Sequence, residues 1–177
     1  MAPKDENELR NMIYSAFTYD NPVAVRYTRS VGFGVPIDKE PQILPKGKAE
    51  LLEEGEDITL IGFGPVVYLC LETAKKLQQK GIKAGVINLR FINPIDKDLI
   101  IRQVRQTHRV ITVEDHVLAG GMGSAVLEIL NDENVNDVLV GRIGYNNYVE
   151  HGPIPILYQE YGLTVDNIIA LSEKLLK

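Results

Sequence analysis

The stretch VITVEDHVLAGGMGSAVLEIL, residues 110–130, decides the fold of this chain of 177 residues. It begins with a short β-branched apolar run, 110–113, which is typical of a strand buried on both faces of a sheet. Two acids, a histidine and three glycines follow, and apolar residues then return at helical spacing. The stretch therefore predicts the corner between a strand and a helix in an open α/β sheet. Ligands and partners of such sheets usually bind at the carboxyl ends of the strands.

Composition limits the classes of protein to which the chain can belong. It is 45% hydrophobic, which is enough for one core, or for one core and part of another. The net charge of -5 and the lack of a basic run argue against nucleic-acid binding. No apolar run approaches the roughly 18 residues that a membrane span needs. With one cysteine and no signal peptide, we expect a cytoplasmic protein that binds neither nucleic acid nor membrane.

Strand and helix patterns alternate through most of the chain. Five runs are typical of strands and lie at 48–52, 58–63, 84–89, 110–113 and 138–143. The connection between the first two is so short that we expect them to pair antiparallel. Helices follow the later strands, and such crossovers give parallel strands. We therefore predict a three-layer α/β/α domain whose five-stranded, mostly parallel sheet has one antiparallel edge strand.

The beginning of the chain predicts an amphipathic helix over residues 4–19. Asp5 is a fair N-cap, and Glu8 follows three residues later as in a capping box. The apolar stripe of this helix consists of Leu9, Met12, Ile13, Ala16 and Phe17. A stripe of this width needs a sheet to cover it.

One helix and one short strand, predicted over 23–27, cannot make a domain. The glycines and prolines that follow are typical of a linker. We therefore interpret the beginning of the chain as a helix–strand remnant of a preceding domain. The expected divisions are 1–29 for the remnant, 30–45 for the linker and 46–177 for the main domain.

Polar residues and glycines after the strand at 110–113 form one candidate site. The polar group is Glu114, Asp115 and His116. It could act as a proton relay, since carboxylates hold and charge an imidazole, or it could cap a helix or face a partner. The glycine turn is Gly120, Gly121 and Gly123. Such a turn before a helix either binds an anion at free N–H groups or allows close packing of the backbone, and the residues leave both interpretations open.

Arg29 is the other candidate. It follows the predicted strand at 23–27, and an arginine at the carboxyl end of a strand suits a phosphate or a carboxylate. Each charge-assisted hydrogen bond of this kind contributes about 1.5–3 kcal/mol. A solvated surface arginine is the simpler alternative from the residues alone.

Several segments, in this order, carry a resemblance to a known family. They are DENELRNM (5–12), VRYTR (25–29), NLRFINPID (88–96), VEDHVLAGGMGS (113–124), VEHG (149–152) and EYGLT (160–164). Through them nearly the whole chain resembles the carboxyl-terminal part of the 1-deoxy-D-xylulose-5-phosphate synthases, a family of the transketolase superfamily. The resemblance implies a transketolase-type C-terminal domain over 46–177.

The resemblance also implies a function. Full-length members are thiamine diphosphate-dependent transferases that join pyruvate to glyceraldehyde 3-phosphate with loss of carbon dioxide, at the entry to non-mevalonate isoprenoid biosynthesis. Their thiamine diphosphate and magnesium bind to residues upstream of Met1, so the resemblance implies no cofactor, no metal and no catalytic residue in this chain. It places the family's substrate-phosphate arginine on Arg29, although the motif here is YTRS (27–30) and the family has YPRG. It also favours packing over anion binding at the glycine turn, because the family's third domain serves mainly in dimer contacts.

Three functional hypotheses follow. In the first, the chain is a fragment of such a synthase that is inactive alone and has a structural role in a homodimer or beside a partner chain that carries the cofactor domains. In the second, it is a stand-alone anion-binding α/β module. In the third, it is one subunit of a split thiamine-dependent enzyme, such as a transketolase or a 2-oxo acid dehydrogenase β-type subunit.

Overall fold

The computed structural model describes all residues from 1 to 177. The helices are α1 (Glu6–Ala16), α2 (Val67–Gln78), α3 (Lys97–Thr107), α4 (Met122–Asp132), α5 (Ile154–Tyr161) and α6 (Val165–Leu175). The strands are β1 (Glu50–Glu53), β2 (Ile58–Phe63), β3 (Ala84–Asn88), β4 (Arg109–Val117) and β5 (Leu139–Tyr145). None of the helices combines the length and the apolar composition that crossing a membrane requires. The sequence pattern does not predict α5, because Pro153 and Pro155 at its start obscure the helical spacing.

The five strands form one sheet in the order β1-β3-β2-β4-β5. β1 is antiparallel to β3, and the other neighbouring pairs are parallel. Helices α3 and α4 pack on one face of the sheet, and α2 and α6 pack on the other. The predicted three-layer architecture with a single antiparallel edge strand is confirmed.

The pairing expected between β1 and β2 is wrong, because β3 lies between them. β2 is buried along its whole length and therefore suits the centre of the sheet, whereas β1 carries glutamates and suits its edge. The short connection crosses the start of β3, where the N–H groups of Glu56 and Asp57 donate to the Lys83 carbonyl at 3.1 and 3.0 Å. A Cβ on Gly55 would lie 2.0 Å from the backbone nitrogen of Gly85, so the crossing requires glycine.

The side chains of β2 alternate between two cores. Ile58 and Leu60 pack with α2 and α6, whereas Ile61 and Phe63 pack with α3 and α4. This alternation is the period-two geometry of a strand whose two faces are both covered by helices. The same arrangement continues in β4, so the carboxyl end of β4 is held between two packed layers.

Helix α1 forms as predicted but lies with its polar face inward. The Asp5 side chain caps it by accepting from the Glu8 N–H at 2.8 Å. The buried side chains of α1 are Glu8, Asn11, Met12 and Ser15. Of the apolar stripe, Ile13 is 44% exposed and Phe17 is 87% exposed. No sheet covers this stripe in the structure.

The strand predicted over 23–27 does not form. The segment is paired only with Met1, whose carbonyl accepts from the Arg26 N–H and whose amine donates to the Ala24 carbonyl, each at 2.9 Å. Because Met1 is the only residue that pairs with this segment through backbone hydrogen bonds, no continuous strand pairing forms and the segment stays irregular.

Residues 33–44, which we call the strap, contain no helix or strand and lie along the polar face of α1. The Glu6 carboxylate accepts from the N–H groups of Phe33 and Val35 at 3.1 and 3.0 Å. Further along, Asn11 accepts from the Gln42 N–H at 2.9 Å. The side chains of α1 thus take the place of a neighbouring strand for the strap.

Candidate functional site

The predicted site residues lie at the carboxyl edge of the sheet. Glu114 and its polar neighbours are at the end of β4, beside the carboxyl end of β2. The glycine turn leads from β4 into α4, with Gly121 as the N-cap. This is the strand–turn–helix corner that residues 110–130 predict.

The Glu114 carboxylate occupies the amino terminus of α4. Its oxygens accept from the N–H groups of Met122 at 2.6 Å and Gly123 at 2.9 Å, and the residue is only 1% exposed. A Cβ on Gly121 would lie 2.3 Å from a Glu114 oxygen, so the glycine leaves the room that the carboxylate fills. A buried carboxylate at a helix amino terminus satisfies free N–H groups and the helix dipole, as a bound anion would.

Burial raises the pKa of Glu114 above its ordinary value. The hydrogen bonds from Gly123 and Met122 act in the opposite direction, because they favour the charged carboxylate, but they do not cancel the loss of hydration. Glu114 therefore titrates at a higher pH in the folded chain than in the unfolded chain.

Asp115 and His116 point to different surroundings. An Asp115 carboxylate oxygen accepts from the Tyr158 hydroxyl at 3.0 Å, which ties the end of β4 to α5. Burial and the Asp115 charge raise the pKa of Tyr158, so the phenol remains a donor. His116 is exposed, and its Nδ1 lies 3.0 Å from the Val117 carbonyl. No hydrogen bond joins the imidazole to Glu114 or Asp115, so the structure does not assemble these residues as a proton relay.

Arg29 lies apart from the glycine turn. It is exposed, and its guanidinium makes no hydrogen bond or ion pair. It lines a cavity of about 670 Å³ together with apolar residues of α2 and of the 152–158 region. The glycine turn borders a separate cavity of about 290 Å³, which Arg26 and Phe63 also line. The structure therefore presents two candidate sites at one edge of the sheet.

A polar cluster joins α1 to the sheet and was not indicated by sequence spacing. Glu8 accepts from Arg90 Nε at 2.6 Å and from Asn88 Nδ2 at 2.8 Å. Glu50 accepts from Lys4 Nζ at 3.0 Å and from Arg90 Nη2 at 2.8 Å. About eighty residues separate some of these partners, so no local pattern reveals them; the isolated left-handed conformation of Arg90 is visible only in the structure.

The glycine turn does not fit the diphosphate of thiamine diphosphate. The N–H groups of Met122 and Gly123, which a diphosphate would need, already donate to a buried carboxylate of the chain itself. A second anion beside Glu114 would meet like charge in a buried setting. No three histidine, cysteine, aspartate or glutamate side chains lie together as metal ligands.

Comparison with known proteins places the chain in context. The model of the family "Transketolase, C-terminal domain" matches residues 47–168. The 1-deoxy-D-xylulose-5-phosphate synthase of Desulfitobacterium hafniense (strain DSM 10664 / DCB-2) is 58% identical over 175 residues, which are 99% of this chain and 28% of that protein. The synthase of Heliobacterium modesticaldum is 48% identical over 99% of this chain and 27% of its own length. The chain thus spans about 28% of the length of the curated relatives that it matches.

Among solved structures, the chain is similar to a protein described as a split gene transketolase in an inactive β4 tetramer. The TM-score is 0.88 and the identity is 34%, and the match covers 99% of this chain and 56% of the other. Nearly the whole chain, including α1 and the strap, therefore lies within the matched region.

Proposed function

Because this chain belongs to the transketolase C-terminal domain family, we propose that it is the carboxyl-terminal part of a 1-deoxy-D-xylulose-5-phosphate synthase. The observation that carries the proposal is the 58% identity to a synthase of that name across 99% of the chain. The assembled enzyme would join pyruvate to glyceraldehyde 3-phosphate with loss of carbon dioxide. Thiamine diphosphate and magnesium would bind to the part of the enzyme outside this chain and supply the carbanion chemistry.

Within that enzyme, the chain would contribute assembly and one substrate contact. Arg29 would hold the phosphate of the aldehyde, since its guanidinium is free and faces a cavity. Glu114 and the glycine turn would have a structural role, because they satisfy each other. We propose no catalytic residue in this chain and expect no turnover by the chain alone.

The distribution of exposed apolar side chains supports a role in assembly. Nine of the thirteen large hydrophobic residues that are exposed lie between residues 13 and 43. We propose that this surface is covered either by the rest of the synthase or by a second chain, and that the assembly is a dimer. In the same proposal, 1–29 belongs to the preceding domain, 30–45 links the domains and 46–177 is the C-terminal domain.

A chimera tests the proposal. This chain would replace the corresponding 175 residues of the Desulfitobacterium hafniense synthase, and product formation from pyruvate and glyceraldehyde 3-phosphate would be followed with thiamine diphosphate and magnesium. We expect an active chimera and no activity from the isolated chain. A folded chimera that makes no product, or an isolated chain that consumes pyruvate, would contradict the proposal.

A split thiamine-dependent enzyme is the second candidate. It is supported by the similar structure, which is described as a split gene transketolase. Here the cofactor part would be a separate chain, and activity would appear on mixing the two chains without a covalent fusion. The stand-alone anion-binding module has less support, because the turn that would bind the anion already holds Glu114.

A further inference from the structure

Arg29 lies in the middle of a span that is fixed at both ends. Residues 27–32 contain no helix or strand, and the side-chain hydrogen bond within the span joins the hydroxyls of Thr28 and Ser30 at 2.8 Å. The position of the Arg29 guanidinium therefore depends on the residues that hold the span before and after it.

Arg26 holds the span on the side of the sheet. Its Nη1 donates to the Asp115 carbonyl at 2.9 Å, and its Cζ lies 5.6 Å from the centre of the Phe63 ring. Phe63 ends β2 and Asp115 is near the end of β4, so both contacts are with the carboxyl ends of neighbouring strands. One guanidinium thereby fastens the segment to two neighbouring strands.

Phe33 holds the span on the other side. Its ring centre lies 4.3 Å from that of Tyr68, and its N–H donates to the Glu6 carboxylate at 3.1 Å. This contact is with α1 and the start of α2, whereas Arg26 contacts the ends of β2 and β4. If the contacts of Arg26 were lost, residues 24–32 would keep only the backbone pairing with Met1 and the packing of Val25 on the side of the sheet.

We propose that Arg26 is a positioning residue for Arg29, and that it sets the affinity of the enzyme for phosphorylated aldehydes without touching the substrate. The inference rests on the proposed function, because it assumes that Arg29 binds the substrate phosphate. Arg29 is three residues from Arg26, or about 10 Å along an extended chain, so a shift at Arg26 reaches it directly. A misplaced guanidinium forms weaker charge-assisted hydrogen bonds to the phosphate in the ground state and in the transition state alike, so KM rises while kcat changes little.

The contacts of Arg26 require arginine and not only a positive charge. A planar guanidinium can lie over an aromatic ring while an N–H in its plane donates to a carbonyl. A lysine ammonium at the same position cannot satisfy both partners with the same geometry. Arg26→Lys should therefore recover only part of what Arg26→Met loses.

The test uses the active chimera with Arg26→Met, which keeps the aliphatic stem but removes the donors. We expect the KM for glyceraldehyde 3-phosphate to rise about tenfold, while the KM for pyruvate and kcat change less than about twofold. Arg10→Met is the matched control, since Arg10 donates to strap carbonyls at Asp38 and Lys39, beyond Phe33. The control should leave all three constants unchanged.

Two further measurements distinguish misplacement of Arg29 from an unspecific loss of activity. With glyceraldehyde, which has no phosphate, Arg26→Met and the parent should be equally active. The double variant with Arg29→Ala should be no worse than Arg29→Ala alone, because both substitutions remove one contact. Three outcomes would overturn the inference. They are equal losses of activity with both aldehydes, additive losses of activity in the double variant, and an unchanged KM for glyceraldehyde 3-phosphate.

Backbone 15N relaxation in the isolated chain tests the structural step without activity. Arg26→Met should lower the amide order parameters of residues 27–32 and leave those of β2 and β4 unchanged, and Arg10→Met should not affect 27–32. Unchanged order parameters in 27–32 would contradict the inference. A folded but inactive parent chimera would instead count against the proposed function, so the two failures are distinguishable.

Discussion

Residues 1–45 and residues 46–177 bury opposite kinds of surface. In the second region, two apolar cores cover both faces of the sheet. In the first region, three of the four buried side chains of α1 are polar, and Ile13 and Phe17 of its apolar stripe are exposed. Apolar burial is non-directional and depends on area, whereas polar contacts depend on particular partners. The first region is therefore held by a few identifiable groups, and part of its apolar surface stays exposed.

The polar cluster between α1 and the sheet determines the position of α1 more than it adds to stability. Glu8 is buried between Arg90 and Asn88, and Glu50 binds the same arginine from β1. Buried ion pairs add little net stability compared with apolar packing, but removing one partner is costly because the other charge is left unpaired. The cluster therefore fixes where α1 lies on the sheet.

The largest effect is expected in the second region, from Gly55→Ala. The new Cβ would lie 2.0 Å from a backbone atom of Gly85, where no flexible side chain can give way. We expect a loss of roughly 3 kcal/mol in the free energy of unfolding, at the upper end of the usual cost of overpacking. Urea denaturation of the whole chain would measure it.

Gly152→Ala is the control for that substitution. Its Cβ would meet only the Leu157 side chain, at 3.3 Å, so it should cost less than about 0.5 kcal/mol. Similar losses of unfolding free energy in Gly55→Ala and Gly152→Ala would show that the close crossing at Gly55 does not determine the position of β1 at the edge of the sheet, beyond β3.

Glu8→Gln should have a smaller and more local effect. Arg90 and Lys4 would lose the buried carboxylate that pairs with them, which we expect to weaken the docking of α1 by about 2 kcal/mol, since the cluster is partly open to solvent. Limited proteolysis should then cut within residues 1–45 while 46–177 stays intact.

Glu72→Gln removes an exposed ion pair with Lys76 and is the matched control, with no expected change in cleavage. Global unfolding of the Glu8 variant, with both regions cut at the same rate, would show that the two regions are one cooperative unit.

The same contrast explains which features could be predicted from the sequence. The strand, turn and helix of 110–130 are predicted because each is set by neighbouring residues, and the apolar run of β2 predicts a buried strand for the same reason. The order of the strands was not fully predicted, since it depends on Gly55 and Gly85 passing each other, which no periodicity indicates. The orientation of α1 was also missed, because its buried polar face depends on partners far along the chain.

The candidate site follows the same division. The pattern of acids and glycines located the edge of the sheet where the site residues lie, but it left open whether the turn binds an anion. That depends on the rotamer of Glu114, whose carboxylate reaches Met122 and Gly123. The contacts of Arg26 were missed because its partners, Phe63 and Asp115, lie on two different strands.

Low pH should weaken the docking of α1 while leaving the turn before α4 intact, and the loss should be smaller than that caused by Glu8→Gln. Burial alone would raise the pKa of Glu50, but the charges of Arg90 and Lys4 lower it below 4.5. The stabilising contribution of Glu50 is therefore present above pH 4.5 and is lost as the pH falls through the folded pKa. Burial raises the pKa of Glu114 above 4.5, so its contribution is present below pH 4.5 and is lost as the pH rises through its folded pKa. Acidification therefore weakens the docking of α1 and spares the turn before α4.

Hydrogen exchange at pH 6 and at pH 3.5, corrected for intrinsic rates, would measure this separation. Amides of α1 should lose protection at the lower pH before those of α4. In Glu50→Gln, which cannot ionise at this position, the acid-dependent loss in α1 should be smaller. A loss of protection that is equal in both helices would show that general charge repulsion, not the polar cluster, governs the acid response.

Phe17→Ser should have the smallest effect on stability, within about 0.5 kcal/mol, because the side chain is 87% exposed. Its effect should appear in association: if the apolar face of α1 is where another chain binds, the dissociation constant measured by analytical ultracentrifugation should rise about tenfold, or about 1.4 kcal/mol. Tyr148→Ser removes an aromatic ring that is 95% exposed in the second region and should leave association unchanged. Both variants remove an exposed aromatic ring, but from different regions of the chain. An equal change in the dissociation constant would therefore mean that exposure alone, and not the outward apolar face of α1, accounts for any self-association.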